Sequence, residues 1–155
     1  MYINIVRACP STTSEYSEYI LEWAAEHRSP VKIVVSQPRR LAAISVSERI
    51  SKERGEAPGT TVGYQIRMNR QCSSNTVLML TTSGCLLRAL AMDKESFFKN
   101  TTHLIIDEAH ERDLDTDFLL LATKLELQKN PHLRLVLMSA TMDLEALSNY
   151  FGGAP

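Results

Sequence analysis

Asp107 and Glu108 are the residues whose type and position most clearly indicate chemistry in this sequence, and they directly follow the short apolar run His103–Ile106. A run that ends in acids is typical of a buried parallel strand, whose carboxyl end is where α/β proteins bind ligands. Because neighbouring carboxylates repel each other, the pair needs a counter-charge such as a divalent cation. Phosphoryl transfer uses this arrangement, with one acid holding Mg²⁺ and the next orienting the attacking water. An isolated Asp-Glu pair is equally compatible with a strand followed by a solvated acidic loop.

Polar residues also follow other apolar runs of the chain. Gln37-Pro38-Arg39-Arg40 comes after the β-branched run 31–36, Thr82-Ser83-Gly84 comes after 76–81, and Ser139-Ala140-Thr141 comes after 133–138. Two arginines at a strand-to-helix corner can clamp phosphates together with the helix N-terminus. On spacing alone, Arg39 and Arg40 fit either a phosphate site or a solvated basic corner.

Composition limits the class of protein. A chain of 155 residues with 44% apolar residues is large enough for one domain with a real core. The balance of 17 basic and 18 acidic residues means that nucleic-acid binding would depend on local basic patches. Three widely spaced cysteines without a CxxC pair indicate a reducing compartment, and no apolar run approaches the ~20 residues of a membrane span. We therefore expect a cytoplasmic or nuclear location and no membrane partner.

Apolar runs alternate with segments of helical periodicity along the whole chain. This alternation predicts an α/β fold of three layers, αβα, with a mostly parallel sheet and right-handed crossovers. In that topology the polar segments that follow the strands, which we call corners, all meet at one edge of the sheet. Several helical residues are predicted to face the core or to mark a helix by their spacing: Tyr16, Tyr19, Ile20, Trp23, Ala24, Leu41, Ile44, Ile50, Leu86, Leu87, Leu90, Phe118, Leu121, Ala122 and Leu125. The polar stretch 93–102 is predicted to be a connector.

Taken together, the four corners resemble the DEAH-box, RNA-helicase-A-type branch of the superfamily 2 helicases. The motifs that carry the resemblance are Gln37-Pro38-Arg39-Arg40, Thr82-Ser83-Gly84 with Leu86-Leu87-Arg88, Asp107-Glu108-Ala109-His110-Glu111-Arg112 and Ser139-Ala140-Thr141. Each is short, but the four occur in the family's order and spacing between Val31 and Pro155. The Glu-Arg-Asp run after His110 resembles the RNA-helicase-A-like and YTH-domain-linked members.

The resemblance implies the first of two RecA-like domains, of the P-loop NTPase type, binding ATP, Mg²⁺ and single-stranded RNA. It assigns Asp107 and Glu108 to Mg²⁺ and the attacking water, and it implies that His110, Ser139 and Thr141 couple the nucleotide site to the second domain. The implied nucleotide contacts are Thr12, Thr13, Asp107 and Glu108, with Thr13 also a metal ligand. The implied RNA contacts are Arg39, Arg40, Thr82 and Arg88.

The sequence departs from the family at the phosphate-binding loop. Family members carry G-x-x-x-x-G-K-T between the first strand and first helix, and this loop aligns with Val6–Thr13. Val6 then occupies the position of the first glycine and Thr12 that of the lysine, while Thr13 keeps a hydroxyl for Mg²⁺. The absence of these glycines restricts how closely the backbone wraps phosphates, and the absence of the lysine removes a charge that pairs with them.

Residues 1–155 are expected to form a single RecA-like ATP-binding domain, truncated at both ends relative to the family and lacking the second RecA-like domain in cis. Two hypotheses remain. The chain is the ATP- and RNA-binding half of a helicase and is incompetent for unwinding by itself, or it is a catalytically inactive RecA-like module that binds RNA or a protein.

Overall fold

The computed structural model describes residues 2–7, 12–140 and 144–153. Seven strands form a single sheet in the order β1-β7-β6-β2-β5-β3-β4. Their bounds are β1 Tyr2–Arg7, β2 Ile33–Gln37, β3 Val62–Ile66, β4 Asn69–Gln71, β5 Leu78–Thr82, β6 His103–Ile106 and β7 Arg134–Ser139. All neighbouring strands pair in parallel except β3 and β4, which form an antiparallel hairpin. The predicted mostly parallel α/β fold is confirmed.

Five helices cover the described part of the sheet. They are α1 Thr12–Glu26, α2 Arg40–Glu53, α3 Ser83–Asn100, α4 Leu114–Leu127 and α5 Leu144–Tyr150, and a 3₁₀ turn spans Ala109–Glu111. Strand side chains alternate between the two faces of the sheet: Val34 packs with α3 and α4, whereas Ile33 and Val35 pack with α1 and α2. Two apolar cores on opposite faces of one sheet give the predicted three layers.

The buried faces of two helices differ in part from the predicted ones. In α1, Ile20 and Ala24 are buried as predicted, but the side chains of Tyr19 and Trp23 are 65% and 38% exposed, and small or aliphatic residues such as Ser17 and Leu21 complete the buried face. Small hydroxyl residues let α1 approach the sheet, so the bulky rings lie outside, where Trp23 stacks on His27. In α2, Leu41 is 80% exposed.

Helix α4 forms where the spacing of its apolar residues predicts a helix. Phe118, Leu121 and Leu125 are exposed, while Leu119 and Leu120 are buried. The helix contains apolar residues around much of its circumference, so spacing alone marks the helix but does not identify its buried face.

The segment predicted to be a polar connector is helical. Asp93 takes non-helical backbone angles that kink α3, and its side chain accepts a hydrogen bond of 3.0 Å from the Ser96 amide. Asp93 thus caps a second helical segment, which buries Phe98 in the core.

Candidate functional site

The carboxyl ends of the central parallel strands lie side by side. The last residue of β2, Gln37, is in register with Thr82, the last residue of β5. On the other side of β2, Ser36 is in register with Ile106 of β6, and the Ser36 carbonyl accepts a hydrogen bond of 3.0 Å from the Asp107 amide. Adjacent strands are ~4.8 Å apart, so the corners that begin at residues 37, 82 and 107 form one continuous rim.

Asp107 is the buried centre of this rim, with 7% of its surface exposed. Its Oδ2 accepts hydrogen bonds from the Thr13 hydroxyl and, at 2.7 Å, from the Gln37 side-chain amide. Its Oδ1 accepts from the Glu108 amide at 2.8 Å. A carboxylate that is buried this deeply is stabilised by such donors. The helix α1 thus places a hydroxyl against the acid that ends β6.

Glu108 has a different environment although it is the next residue. Its backbone is left-handed, with φ 52°, and it begins the 3₁₀ turn, which ends at Arg112 with φ 49°. This conformation is uncommon for residues other than glycine. Burial and the neighbouring Asp107 charge raise the pKa of the Glu108 carboxyl above its ordinary value.

His110 lies on the same turn. Its Nδ1 is 3.3 Å from Glu108 Oε2, close enough for an ion pair with a protonated ring. The atom is buried and has no partner with hydrogen-bond geometry among the described residues.

The basic corner between β2 and α2 faces the acid turn. The guanidinium of Arg39 is 75% exposed and forms a 2.8 Å ion pair with Glu111, while the Arg40 guanidinium donates to the Arg67 carbonyl at 3.2 Å. Arg39 is the N-cap residue of α2 and provides no side-chain cap. Amide groups of the first turn are therefore available to an anion beside two arginines.

The corner between β5 and α3 resembles the corner between β2 and α2, because its helix also starts without a side-chain cap. Thr82 is the N-cap residue in an extended conformation and forms no side-chain cap. Arg88 lies one turn into α3, where its Nε donates to the Gly84 carbonyl at 3.2 Å. Two helix N-termini without side-chain caps thus start from the neighbouring strands β2 and β5.

The predicted phosphate-binding loop is only partly described. Val6 and Arg7 belong to β1, where they pair with Met138 and Ser139, so the position aligned with the first glycine of the family's loop is the penultimate residue of this strand. Residues 8–11 lie outside the described part, and Thr12 begins α1. Ser139 is buried at the end of β7, and Thr141 lies outside the described residues.

Sequence reasoning missed several residues that organise the rim. The sequence indicates Gln37 only as part of a motif, yet its side chain is 3% exposed and bonds Asp107. The buried hydroxyls of Ser36, Ser83 and Thr116 form a hydrogen-bonded chain that no linear motif indicates. Only the strand register brings these partners, 47 and 33 positions apart in the sequence, into contact.

The parallel sheet between two helical layers, with β7 between β1 and the acid-bearing β6, defines a RecA-like domain. The profile of the DEAD/DEAH box helicase family matches residues 13–149, and the chain therefore belongs to that family, as its first RecA-like domain.

Individual relatives agree with this assignment. The chain is 46% identical over 145 residues to the DExH-box ATP-dependent RNA helicase DExH3 of Arabidopsis thaliana, an alignment that covers 92% of this chain and 12% of that protein. It is 46% identical over 146 residues to DExH6 of the same organism, and this alignment covers 92% of this chain and 11% of that protein. It is 48% identical over 155 residues to the protein DHX57 of Homo sapiens, and this alignment covers 99% of this chain and 11% of that protein. The chain thus spans about a tenth of the length of these relatives.

Within the described part of the chain, no helix combines the length and the apolar character that a membrane span requires.

Proposed function

We propose that this domain binds Mg²⁺-ATP and single-stranded RNA next to each other on the carboxyl rim of its sheet, as the first domain of an ATP-dependent RNA helicase. One observation carries the proposal. The Thr13 hydroxyl and the Gln37 amide converge on Asp107 at the end of β6, beside two uncapped helix N-termini. Family membership supports nucleotide binding in general terms.

The acid corner fits Mg²⁺. This cation prefers oxygen ligands and is usually held by one or two carboxylates together with substrate phosphates. Asp107 and Thr13 supply a carboxylate and a hydroxyl that already contact each other. Mg²⁺, when bound, neutralises charge on the nucleotide phosphates. Glu108, with its raised pKa and partial exposure, is placed to orient a water molecule.

The loop sequence predicts weak nucleotide binding. Thr12 occupies the position of the phosphate-binding lysine, so one positive charge is absent. Titration calorimetry with Mg²⁺-ATP should therefore give an affinity weaker than micromolar, and the Thr12→Lys variant should bind more tightly. Micromolar binding by the wild-type chain would contradict this expectation.

The RNA contacts are assigned to Arg39, Arg40, Thr82 and Arg88. Replacing Arg39 and Arg40 together with Ala should weaken binding of a single-stranded uridine oligonucleotide and lower its salt slope by about 0.7 for each phosphate that the protein no longer neutralises. A matched control is the double replacement of Arg49 and Arg54, which are paired with Glu53 and Glu56 at the C-terminal end of α2 and just beyond it. Equally weakened binding in both double variants would remove Arg39 and Arg40 from the RNA path.

The second candidate function is a non-catalytic RNA- or protein-binding module, and the missing lysine favours it. RNA binding without detectable nucleotide binding, even after Thr12→Lys, would support the module. The roles of His110, Ser139 and Thr141 in coupling to a second RecA-like domain belong to the helicase proposal. They are tested by replacing each residue with Ala in a chain that contains both domains and measuring RNA-stimulated ATP hydrolysis.

A further inference from the structure

A chain of buried hydroxyls connects three of the corners on the rim. Ser36 Oγ at the end of β2 lies 3.1 Å from Ser83 Oγ in the first turn of α3. Ser83 Oγ lies 3.1 Å from Thr116 Oγ1 in the first turn of α4. Thr116 Oγ1 in turn donates to Asp113 Oδ2 at 2.7 Å. We call these four residues the hydroxyl chain.

The direction of the hydrogen bonds follows from the number of protons. Each hydroxyl has one proton to donate, and an ionised carboxylate only accepts. Because Thr116 donates to Asp113, Ser83 must donate to Thr116, and Ser36 must then donate to Ser83. All donors therefore point towards Asp113, whose Oδ1 also accepts from the Thr116 amide at 2.8 Å as the N-cap of α4. Aligned hydrogen bonds of this kind strengthen one another in a region of low dielectric constant.

The hydroxyl chain is anchored at both ends to parts of the proposed site. Ser36, Ser83 and Thr116 are 0%, 4% and 2% exposed. At one end, the Ser36 carbonyl accepts the Asp107 amide, and the next residue, Gln37, bonds the Asp107 carboxylate. At the other end, Asp113 directly follows the turn that carries His110. Ser83, in the middle, is the residue after Thr82 and fixes the start of α3.

We infer that Ser36, Ser83 and Thr116 are positioning residues that hold the RNA-contacting first turn of α3 in register with the metal-binding acid corner. The inference rests on the proposed function, because it assigns the RNA contact to the corner at Thr82. The residues touch neither RNA nor nucleotide themselves. They act by fixing where the amide groups at the start of α3 lie relative to Asp107.

Thr116→Val removes the hydroxyl that joins Ser83 to Asp113 and keeps the side-chain shape. Thr123→Val is the matched control, because Thr123 lies on the same helix, is 0% exposed and donates its hydroxyl to the Leu119 carbonyl of its own helix at 2.7 Å. Thr116→Ser should restore function because it keeps the hydroxyl. Ser83→Ala interrupts the chain at a second point, and thermal unfolding of every variant identifies any that fails to fold.

The first measurement is the dissociation constant for a fluorescent single-stranded uridine oligonucleotide. Removing the net contribution of a buried hydrogen bond corresponds to about a three- to tenfold weaker binding. We expect this change for Thr116→Val and Ser83→Ala, less than twofold for Thr123→Val, and recovery for Thr116→Ser. Equal changes in Thr116→Val and Thr123→Val, or no recovery with Thr116→Ser, would overturn the inference.

Amide hydrogen exchange separates this inference from the proposed function. Thr116→Val should accelerate exchange at residues 86–89, which carry the first amides of α3 with an intrahelical acceptor, by a larger factor than Thr123→Val does. RNA binding by the wild type without this difference in exchange would overturn the positioning role alone. A wild-type chain that does not bind RNA would overturn the proposed function, and with it the role assigned to the hydroxyl chain, whatever the exchange shows.

Discussion

Replacing Thr13 with Val tests the contact on which the acid corner depends. Thr13 is 5% exposed, and its hydroxyl donates to the buried carboxylate of Asp107. Valine keeps the shape but leaves Asp107 without one of its donors. A hydrogen bond to a charged group contributes about 1.5–3 kcal/mol, so the free energy of unfolding should fall by about 2 kcal/mol. With a urea m-value of about 2 kcal/mol/M, the unfolding midpoint should move down by about 1 M.

The control for this variant is Ser17→Ala on the same helix. Ser17 is 0% exposed, and its hydroxyl donates to the Thr13 carbonyl at 2.7 Å, inside α1. Since alanine favours helix and no charge is deprived of a donor, the midpoint should shift by much less. Urea unfolding followed by circular dichroism measures both variants. Equal midpoints for Thr13→Val and wild type would show that the hydroxyl does not support Asp107.

The same variant also tests the metal site. A ligand that binds only the folded state raises stability by RT ln(1 + [L]/Kd). Saturating Mg²⁺-ATP should therefore raise the unfolding midpoint of the wild type and of Ser17→Ala by a similar amount. Thr13→Val should show a smaller increase because it lacks the hydroxyl ligand. An undiminished increase would exclude Thr13 from the metal site.

Three further changes have defined outcomes. Glu111→Gln releases the exposed guanidinium of Arg39 and removes a negative charge near the rim. RNA affinity should therefore rise by up to about fivefold, which is the range expected for a surface ion pair. A fall in RNA affinity, measured by fluorescence titration, would contradict this. Burial and the Arg134 charge lower the pKa of His103 in the folded protein to about 4. The stability linked to this lowered pKa is therefore present above the pKa of histidine in the unfolded chain, about 6.5, and is lost as the pH falls towards 4. Urea unfolding should show about 2 kcal/mol less stability at pH 5 than at pH 7, and this decrease should be smaller in His103→Gln. An identical decrease in His103→Gln would show that His103 does not cause the loss of stability. In Gly63→Ala the added methyl would collide with the backbone carbonyl of Gln71 in β4, so this variant should be destabilised by about 1–3 kcal/mol. In Gly84→Ala the added methyl meets a carboxylate that can rotate away, and equal unfolding midpoints of the two variants would contradict this contrast.

The convergence of the corners was predictable because it follows from chain direction alone. Strands that run parallel must end at the same edge, so the alternation of strands and helices sufficed to place residues 37, 82 and 107 on one rim. The family resemblance implied that Thr13 and Asp107 both contact Mg²⁺, and the structure places the two side chains in contact. The convergence of the corners required no knowledge of side-chain packing.

Helix orientation was not predictable from the same information. Apolar residues surround much of α4, so the choice between the face with Leu119 and the face with Phe118 depends on how the helix rests on its neighbours. The aromatic residues of α1 gave a misleading signal because small residues, not large ones, allow that helix to approach the sheet. Periodicity identifies a helix reliably, but it identifies the buried face only when the opposite face is polar.

The polar contacts inside the rim were beyond sequence reasoning for a different reason. Gln37 and Ser36 are neighbours in the chain, yet one side chain reaches Asp107 and the other reaches Ser83. Successive side chains of a strand point to opposite faces, so the end of β2 contacts both corners at once. Which partners they meet depends on the strand order β6-β2-β5, which spacing in the sequence does not specify.

The two acids at the end of β6 illustrate how one dipeptide acquires two different chemical environments. Asp107 continues the strand direction into the buried rim, where three donors from Thr13, Gln37 and the Glu108 amide stabilise its charge. Glu108 is turned out of the strand by its left-handed backbone, so it keeps access to solvent. Burial and, after it, the neighbouring Asp107 charge raise the pKa of Glu108. A charge that is fixed by donors suits a metal ligand, whereas a partly exposed carboxyl with a raised pKa suits proton exchange with water. The left-handed turn at Glu108 therefore separates the two proposed roles, because a regular continuation of the strand would have pointed the second acid into the opposite face of the sheet.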